Sequence, residues 1–312
     1  MISKLQHRFV IPGIILLVAF LAGCAGSLKL DGLNSQELLT LGKQQYDNKK
    51  YLRAIDVFQR IVYDYPGESI VDTAQYYLAL SYFGNEDYAL AHVEFNRLVS
   101  YYPSSVYVPS AVFMSAVSQF ESAPKNYGLD QSEVKDAIQR FEDFLIDYPE
   151  SEVVPDAKAY LARAKDRLAR KDFDAGMTYY RMSAYESAGI YFQQVIDDYT
   201  GGDYAAKALY YNGEIDLKQH KFEDAQEQFS NFVTVYPDHE WVAKAKKKAA
   251  EAAFKAGESA FENGNPGKAK ADFQAFVEKY PNDKRVEKAR EYLNQIGDIP
   301  VETQTETASE GS

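Results

Sequence analysis

The stretch Ala225–Pro237 reads AQEQFSNFVTVYP, and its pattern decides the fold of the chain. An alanine is followed by a phenylalanine four residues later and by a proline eight residues after that, with a tyrosine directly before the proline. The pattern occurs six times, as Ala54-Phe58-Pro66, Ala91-Phe95-Pro103, Ala137-Phe141-Pro149, Ala188-Phe192-Thr200, Ala225-Phe229-Pro237 and Ala269-Phe273-Pro281. Only Thr200 replaces the proline. Six copies in one register predict an array in which each copy is one structural unit.

Each copy predicts a pair of helices. Residues four apart lie on one helix face, and a proline prevents the helix from continuing past it. A second small residue precedes the alanine by twelve residues in five copies, at Gly42, Ala79, Gly176, Gly213 and Gly257; in the third copy Ala116 takes this role, with nine extra residues between the helices. We therefore expect two antiparallel helices per copy that meet at a contact between small residues. An aromatic residue begins the second helix in four copies, at Tyr51, Tyr88, Tyr185 and Phe222.

These residues resemble the tetratricopeptide repeat, whose late positions are also alanine, phenylalanine and proline. The copies here are spaced more widely, which predicts longer first helices at roughly 153–182 and 241–263 and an insert near 122–133. Such units stack because none can bury its apolar face alone. The expected fold is all-α, a right-handed superhelix of about six tetratricopeptide-like helix pairs over residues 36–296.

The first 23 residues are typical of a secretory signal peptide. Lys4 and Arg8 precede a short apolar run, which ends in Leu21-Ala22-Gly23-Cys24. This ending resembles a bacterial lipobox, which implies lipidation (palmitate among the acyl chains) at Cys24, the only cysteine. An uncleaved membrane anchor is the alternative. Because Ala25 rather than aspartate follows the cysteine, the resemblance favours the outer membrane.

The remaining segments are expected to be a lipidated tether at 24–35 and a disordered tail at 297–312, which is rich in Glu, Thr and Ser. The formal net charge is −12, and removal of the signal peptide would make it more negative. A strongly acidic body argues against nucleic acid as a partner.

The sequence offers no pattern that predicts catalysis, a metal site or a cofactor. His92, His220 and His239 are the histidines outside the signal peptide, and none has a partner at metal-ligand spacing. Gly201-Gly202 has no strand before it and no Gly-Lys-Ser/Thr after it, so it is read as a helix terminator rather than a phosphate loop. We therefore expect a non-enzymatic protein.

An apolar groove on the inner face of the array is the expected binding site. In tetratricopeptide geometry this face is formed by first-helix residues near the small-residue contact. In the first three copies the predicted peptide groove consists of Tyr46, Tyr76, Leu80, Phe83, Phe113, Val117 and Phe120. Packing between repeats is the alternative role for these rings, since a ring recurs at equivalent positions in every copy.

A more specific resemblance lies in residues 130–192. Asp130-Gln131, Tyr148-Pro149-Glu150-Ser151, Gly176, Tyr179-Tyr180-Arg181 and Ala184-Tyr185-Glu186-Ser187-Ala188 follow one another as in the BamD-type lipoproteins of the outer-membrane β-barrel assembly machinery. With the lipobox and the repeat layout, the resemblance extends over about residues 20–240. It departs from the family in its sixth copy and at Tyr191, where many members carry arginine.

The resemblance implies a lipid-anchored scaffold that faces the periplasm from the outer membrane. In the family, the N-terminal repeats are thought to bind unfolded outer-membrane proteins, and the C-terminal repeats dock the barrel-forming BamA-type subunit beside other assembly-complex lipoproteins. Arg181 and Tyr185 are the residues expected to take part in this docking. The alternative is a lipid-anchored periplasmic repeat adaptor for cell-wall, pilus or division machinery.

Overall fold

The computed structural model describes residues 30–297, and every regular element within them is an α-helix. The predicted signal peptide, the predicted lipobox and the predicted tail after Gly297 lie outside the described residues. The thirteen helices of the described part are α1 Ser35–Asp47, α2 Tyr51–Asp64, α3 Val71–Gly84, α4 Tyr88–Tyr101, α5 Val108–Ser122, α6 Ser132–Asp147, α7 Val154–Arg181, α8 Tyr185–Asp198, α9 Asp203–Lys218, α10 Phe222–Val235, α11 Val242–Glu262, α12 Pro266–Lys279 and α13 Val286–Gly297. The prediction of an all-α fold made of helix pairs is confirmed.

The chain divides into two compact units, and the boundary lies inside α5, after Ser118. In the described part of the first unit, α1 to α4 pack in sequence, each helix against the next. In the second unit, α6 to α13 pack in the same consecutive manner. Packing between sequential neighbours is the arrangement that repeat stacking requires.

Four of the helix pairs are held together by a ring pressed against a glycine. A Cβ atom added at Gly42 would lie 2.5 Å from the Phe58 ring, and one added at Gly213 would lie 2.9 Å from the Phe229 ring. Gly176 and Gly257 face Phe192 and Phe273 in the same way. The nearest atoms to each of these glycines belong to the phenylalanine of the second helix, which fills the space beside the small residue. The glycine makes room for a fully buried ring.

The tyrosine before each proline ends the second helix in the same geometry every time. The six C-cap tyrosines have φ between −129° and −123°, and each donates its backbone N–H to the carbonyl four residues earlier. Proline disfavours the helical region for the residue before it, which explains five of the six caps. Tyr199 adopts the same conformation before Thr200, with φ −126°.

The turn inside five of the helix pairs uses one residue with left-handed backbone geometry. Lys49, Glu86, Ser183 and His220 have φ between 56° and 66°, and Gly264 occupies the equivalent place with φ 71°. Only glycine adopts this region without steric cost, so four of these five turns carry local strain.

Two first helices are longer than the others, as the spacing predicted: α7 has 28 residues and α11 has 21, against 14 in α3. The predicted insert is also present, as the segment 123–131 between α5 and α6. The extra turns of α7 run alongside this insert and hold it.

Gln131 is the internal anchor of the insert. Its side chain is 1% exposed, and its amide nitrogen donates to the backbone carbonyls of Asp130 at 2.9 Å and of Pro124 and Asn126 at 3.3 Å. Arg167 of α7 also donates to the Pro124 carbonyl. Buried backbone carbonyls need hydrogen-bond donors, and here side chains supply them where no helix can.

Cations of α7 hold the outer part of the insert. The Arg170 guanidinium lies 4.3 Å from the centroid of the Tyr127 ring, and Lys171 donates to the Leu129 carbonyl at 3.1 Å. Arg163 contacts the Phe120 and Tyr160 rings at 5.2 and 4.6 Å. The Arg170 and Lys171 contacts fix the insert against α7.

The last helix closes the array at its C-terminal end. Tyr292 of α13 stacks on Phe273 with ring centroids 4.8 Å apart, and Val286, Ala289 and Ile296 are buried in the same cluster. The opposite face of α13 is exposed and polar. An apolar inner face with a polar outer face is what a terminal cap of a repeat array needs.

Candidate protein-binding surfaces

Aromatic rings form a continuous cluster on the first helices of the first unit. Tyr46 lies 5.5 Å from Tyr77, and Tyr76 lies 6.1 Å from Tyr77 and stacks on Tyr107 at 4.5 Å with an interplanar angle of 13°. The Lys43 ammonium lies 4.7 Å from the centroid of the Tyr77 ring. Burial raises the pKa of Tyr46 and of Tyr76, and the Tyr76 hydroxyl already has the Ser110 side chain as a hydrogen-bond partner.

The structure divides the predicted groove residues into two classes of exposure. Tyr46, Tyr76, Leu80 and Phe83 are half-buried, so part of each side chain is accessible. Three others belong to the buried core: Phe113 and Phe120 are each 5% exposed, and Val117 is 1% exposed. Tyr46 and Tyr76 are brought together through Tyr77, while Phe83 packs on Tyr88 at the end of its helix pair, 5.2 Å away.

Phe120 belongs to the second unit. It packs edge-on against Tyr160 at 6.0 Å and lies under Arg163 of α7. Its surroundings are therefore the insert and the extended part of α7.

The residues predicted for partner docking surround the turn between α7 and α8. Arg181 is exposed at the end of α7, and Tyr185 is half-buried at the start of α8. Tyr180 contacts both Tyr185, at 5.8 Å, and Tyr211, at 5.2 Å. Burial and the nearby Glu214 carboxylate raise the pKa of Tyr180 to about 12.

Glu214 links this turn to the next helix pair. Its carboxylate accepts a hydrogen bond from the Tyr210 hydroxyl at 2.9 Å and pairs with Lys248 of α11 at 3.0 Å. Glu258 makes the equivalent pairing one copy later, with Lys288 of α13. Glu214 directly follows Gly213, and Glu258 directly follows Gly257. The ion pairs to the next first helix therefore start from equivalent positions in these two copies.

A polar cavity of about 510 Å³ lies beside Tyr185. Its lining includes Glu186 of α8, Asn212 and Asp216 of α9, and Gln228 of α10. Burial, followed by the charge of Asp224, raises the pKa of Asp216. The cavity can accept hydrogen-bonding groups of a partner, and its composition does not suit an apolar ligand.

The described residues contain no group of three or more histidine, cysteine or acidic side chains that could hold a metal ion. Nor is any described helix both long and apolar enough to cross a membrane. His92 contacts Ser115 at 3.0 Å and Asn96 at 3.0 Å, while His239 contacts Asp203 at 3.1 Å.

The repeat register did not predict several residues of these surfaces. Tyr77 and Tyr107 complete the aromatic cluster of the first unit, and Tyr211 and Glu214 complete the one around Tyr180. Tyr77 and Tyr211 each directly follow a tyrosine at an inner-face position of the repeat register, Tyr76 and Tyr210. These tyrosine pairs at equivalent positions could have predicted both residues as part of the surfaces.

Solved structures with the same kind of fold have low sequence identity to the chain. A thermophilic tetratricopeptide repeat protein from Thermus thermophilus is 17% identical, with 70% of this chain and 98% of that chain covered and a TM-score of 0.30. The TPR2AB domain of yeast Sti1 is 11% identical, with 84% and 98% covered and a TM-score of 0.43. Pseudomonas aeruginosa pilF is 12% identical, with 82% and 96% covered and a TM-score of 0.28. No curated protein matches the chain.

Two family models match the sequence. The tetratricopeptide repeat model matches residues 251–283, which include much of the pair α11–α12 that the register predicted as the sixth copy. The YfiO model, described as an outer membrane lipoprotein, matches residues 32–217 and therefore more than half of the chain. Both are families of protein-interaction folds. The chain belongs to the YfiO family of outer membrane lipoproteins, the BamD type.

Proposed function

We propose that this protein is a lipid-anchored scaffold of the outer-membrane β-barrel assembly machinery, and that it works by binding proteins rather than by catalysis. The observation that carries the proposal is the family match over residues 32–217, which contains the insert and the whole α7–α8 turn. In this proposal Cys24 carries the acyl chains, and the helical array faces the periplasm.

The half-buried groove residues of the first unit are proposed to bind unfolded barrel substrates. Tyr46, Tyr76, Leu80 and Phe83 offer partly exposed apolar surface. Surfaces of this composition bind extended or helical peptides through bulky side chains. Phe113 and Val117 of the first unit and Phe120 of the second are proposed to pack in the core rather than to contact the peptide, a role that their burial favours.

The turn between α7 and α8 is proposed to dock the BamA-type subunit. Arg181 offers an exposed guanidinium with five donors, and Tyr185 lies at the rim of a polar cavity. Arginine and tyrosine are enriched among the residues that dominate interface energies. Other lipoproteins of the assembly complex are further expected partners.

Substrate binding is tested with the double variant Leu80→Ser/Phe83→Ala. We expect its affinity for peptides taken from the C-terminal strands of barrel proteins to fall by about tenfold or more, because two apolar contacts are lost. Val235→Ser, at an exposed position of α10, is the matched control. Unchanged affinity with a large fall in melting temperature would reject the groove and leave a packing role for these residues.

Partner docking is tested by pull-down from cell envelopes. Arg181→Glu and Tyr185→Ala should reduce the amount of BamA-type subunit that is recovered, whereas Arg140→Glu, at an exposed position of α6, should not. Recovery of cell-wall, pilus or division proteins instead, with no barrel subunit, would replace the assembly role with that of a general periplasmic adaptor.

A further inference from the structure

The exposed face of α4 differs in composition from the exposed faces of the other second helices. Its five exposed residues are all uncharged: Ala89, Leu90, Val93, Ser100 and Tyr101. Each of the other five second helices exposes at least one charged side chain, as a chain with a net charge of −12 would lead one to expect. Single apolar residues are common on protein surfaces, but several together on one helix face indicate a contact with something else.

The repeat register shows that this composition is not a requirement of the fold. Leu90, Val93 and Tyr101 stand one residue before, two residues after and ten residues after the signature alanine of their copy, Ala91. In the copies before and after it, five of the six equivalent residues are charged: Arg53, Asp56, Asp64, Asp136, Gln139 and Asp147. Packing of the repeat therefore does not need apolar residues at these positions, and their presence in α4 favours a binding role.

Tyr63 of α2 extends this surface across Arg97. The Arg97 guanidinium donates to the Glu94 carboxylate at 2.9 Å and also to the Tyr63 hydroxyl. Tyr63 and Tyr101 are 64% and 71% exposed, whereas Glu94 is buried. Because the one cation is paired with a buried carboxylate, the surface is apolar and has no net charge. We call this surface the α4 face, and it consists of Tyr63, Leu90, Val93, Arg97 and Tyr101.

The chain that comes from Cys24 reaches the first unit close to the α4 face. Leu30 packs against the core of this unit, and the Asp31 carboxylate pairs with Arg60 of α2 at 3.2 Å. Arg60 lies one helical turn before Tyr63 on the same helix. Cys24 precedes Leu30 by six residues, which span at most about 20 Å. A lipid anchor at Cys24 therefore keeps this part of the first unit close to the bilayer.

The composition of the α4 face matches the interfacial layer of a lipid bilayer. Tyrosine is enriched in that layer because its ring is apolar and its hydroxyl remains hydrated. Leucine and valine add apolar area, and arginine donates to phosphate oxygens in a planar, bidentate geometry. An exposed carboxylate would oppose the contact because it would have to leave water, and α4 exposes none. Asp64 of α2, next to Tyr63, is paired with Arg60 at 3.4 Å.

We propose that the α4 face lies against the lipid bilayer in which Cys24 is anchored, with its tyrosine and aliphatic side chains in the headgroup layer and Arg97 on a lipid phosphate. The proposal rests on the lipid anchor of the proposed function and adds a contact made by the protein itself. Because the anchor makes this contact intramolecular, a weak apolar interaction is enough to populate it. The contact decides which side of the first unit is turned toward the bilayer, which an acyl chain on a tether does not decide.

Quenching of tryptophan fluorescence by brominated lipids tests this contact. The chain 24–312 is coupled through the Cys24 thiol to a maleimide lipid in vesicles of phosphatidylcholine brominated near the headgroup, so the experiment does not depend on natural lipidation. Trp241→Phe removes the only tryptophan, and Ser100→Trp places a reporter on the exposed side of α4. Thr234→Trp, at the equivalent exposed position of α10, is the control reporter. We expect quenching of Ser100→Trp to be at least twofold stronger, since bromine quenches only at short range.

Charges placed on the α4 face should abolish the difference between the reporters. Val93→Glu/Tyr101→Glu should lower the quenching on α4 to the level of the control reporter, because the added carboxylates resist transfer out of water. Ile190→Glu/Val235→Glu adds the same charges at the equivalent register positions of α8 and α10, which are also exposed, and should leave the quenching unchanged. Melting curves verify that each variant is folded.

Equal quenching of the two reporters, or quenching that survives Val93→Glu/Tyr101→Glu, would overturn the proposal in favour of a protein partner for the α4 face. Mass spectrometry of the protein isolated from cell envelopes tests the anchor separately. An unmodified Cys24 would overturn the lipid anchor and this proposal with it, whereas failure of the vesicle experiment alone would leave the proposed function intact.

Discussion

At the scale of single residues, four helix pairs each depend on one glycine that admits a ring. Gly42, Gly176, Gly213 and Gly257 have the ring of a fully buried phenylalanine as their nearest neighbour. The ring fills the space that a Cβ would occupy, so the contact is both tightly packed and poorly able to accept extra volume.

Gly213→Ala tests this contact. The added Cβ would lie 2.9 Å from the Phe229 ring, and we expect a loss of about 1 to 3 kcal/mol in the free energy of unfolding, measured by denaturant titration. Gly189→Ala is the matched control, because nothing lies within 4 Å of its added Cβ, and it should stabilise α8 by about 0.5 to 1 kcal/mol. Equal effects of the two variants would contradict the role assigned to the ring.

Asp216 provides a prediction about pH. Burial and the charge of Asp224 raise its pKa, so the folded state binds the proton more tightly than the unfolded state does. The folded state therefore gains stability as the pH falls through the raised value, until the unfolded pKa of about 3.9 is passed. Asp216→Asn should raise the melting temperature at pH 7, and the difference should vanish below about pH 4. Asp238→Asn, at an exposed position, is the matched control.

At the scale of elements, the long helix α7 and the insert form one structure. The spacing of the copies predicted both the helix length and the extra residues, because each changes the distance between repeat signatures. The contacts between them could not be predicted, because Arg167, Arg170 and Gln131 lie outside the repeat register and their partners are backbone carbonyls and a ring of the insert. A periodic pattern gives no information on residues that have no counterpart in other copies.

Gln131→Glu tests the internal anchor of the insert. The substitution replaces an amide donor with a carboxylate that faces three backbone carbonyls, and we expect a loss of about 2 to 4 kcal/mol in stability. Gln274→Glu, at an exposed site on α12, should change stability by less than about 0.5 kcal/mol. Hydrogen exchange should show the loss first in residues 123–135, and an unchanged exchange rate there would contradict the assignment.

At the scale of the whole molecule, the sequence predicted the array but not its division into two units. The Ala-Phe signature occurs in all six copies, and α5, which contains the boundary, has the length of an ordinary first helix. The nine extra residues of the third copy lie after α5 and therefore do not mark the boundary. The candidate surfaces were predicted only in part, because the register identifies ring positions and does not tell which rings remain accessible. Phe113 and Tyr76 come from equivalent helices, yet the first is buried and the second is half-buried.

Local contacts dominate a repeat array, so damage in one unit should remain close to its source. Phe58→Ala removes a fully buried ring and should cost about 3 to 5 kcal/mol. We expect hydrogen exchange to accelerate in residues 35–101 and to change little in residues 203–297. Phe276→Ala should give the reverse pattern, and uniform acceleration by either variant would show that the array unfolds as one cooperative body.

The cap at Tyr199 has a consequence for how such a sequence can change over generations. Its conformation is the same although Thr200 stands where the other copies have proline, so the local hydrogen bonds are sufficient to specify the turn. Because the turn forms here without a proline, residue 200 can vary without loss of the turn. Position 200 is therefore the repeat position at which a substitution can most easily alter the surface of the array.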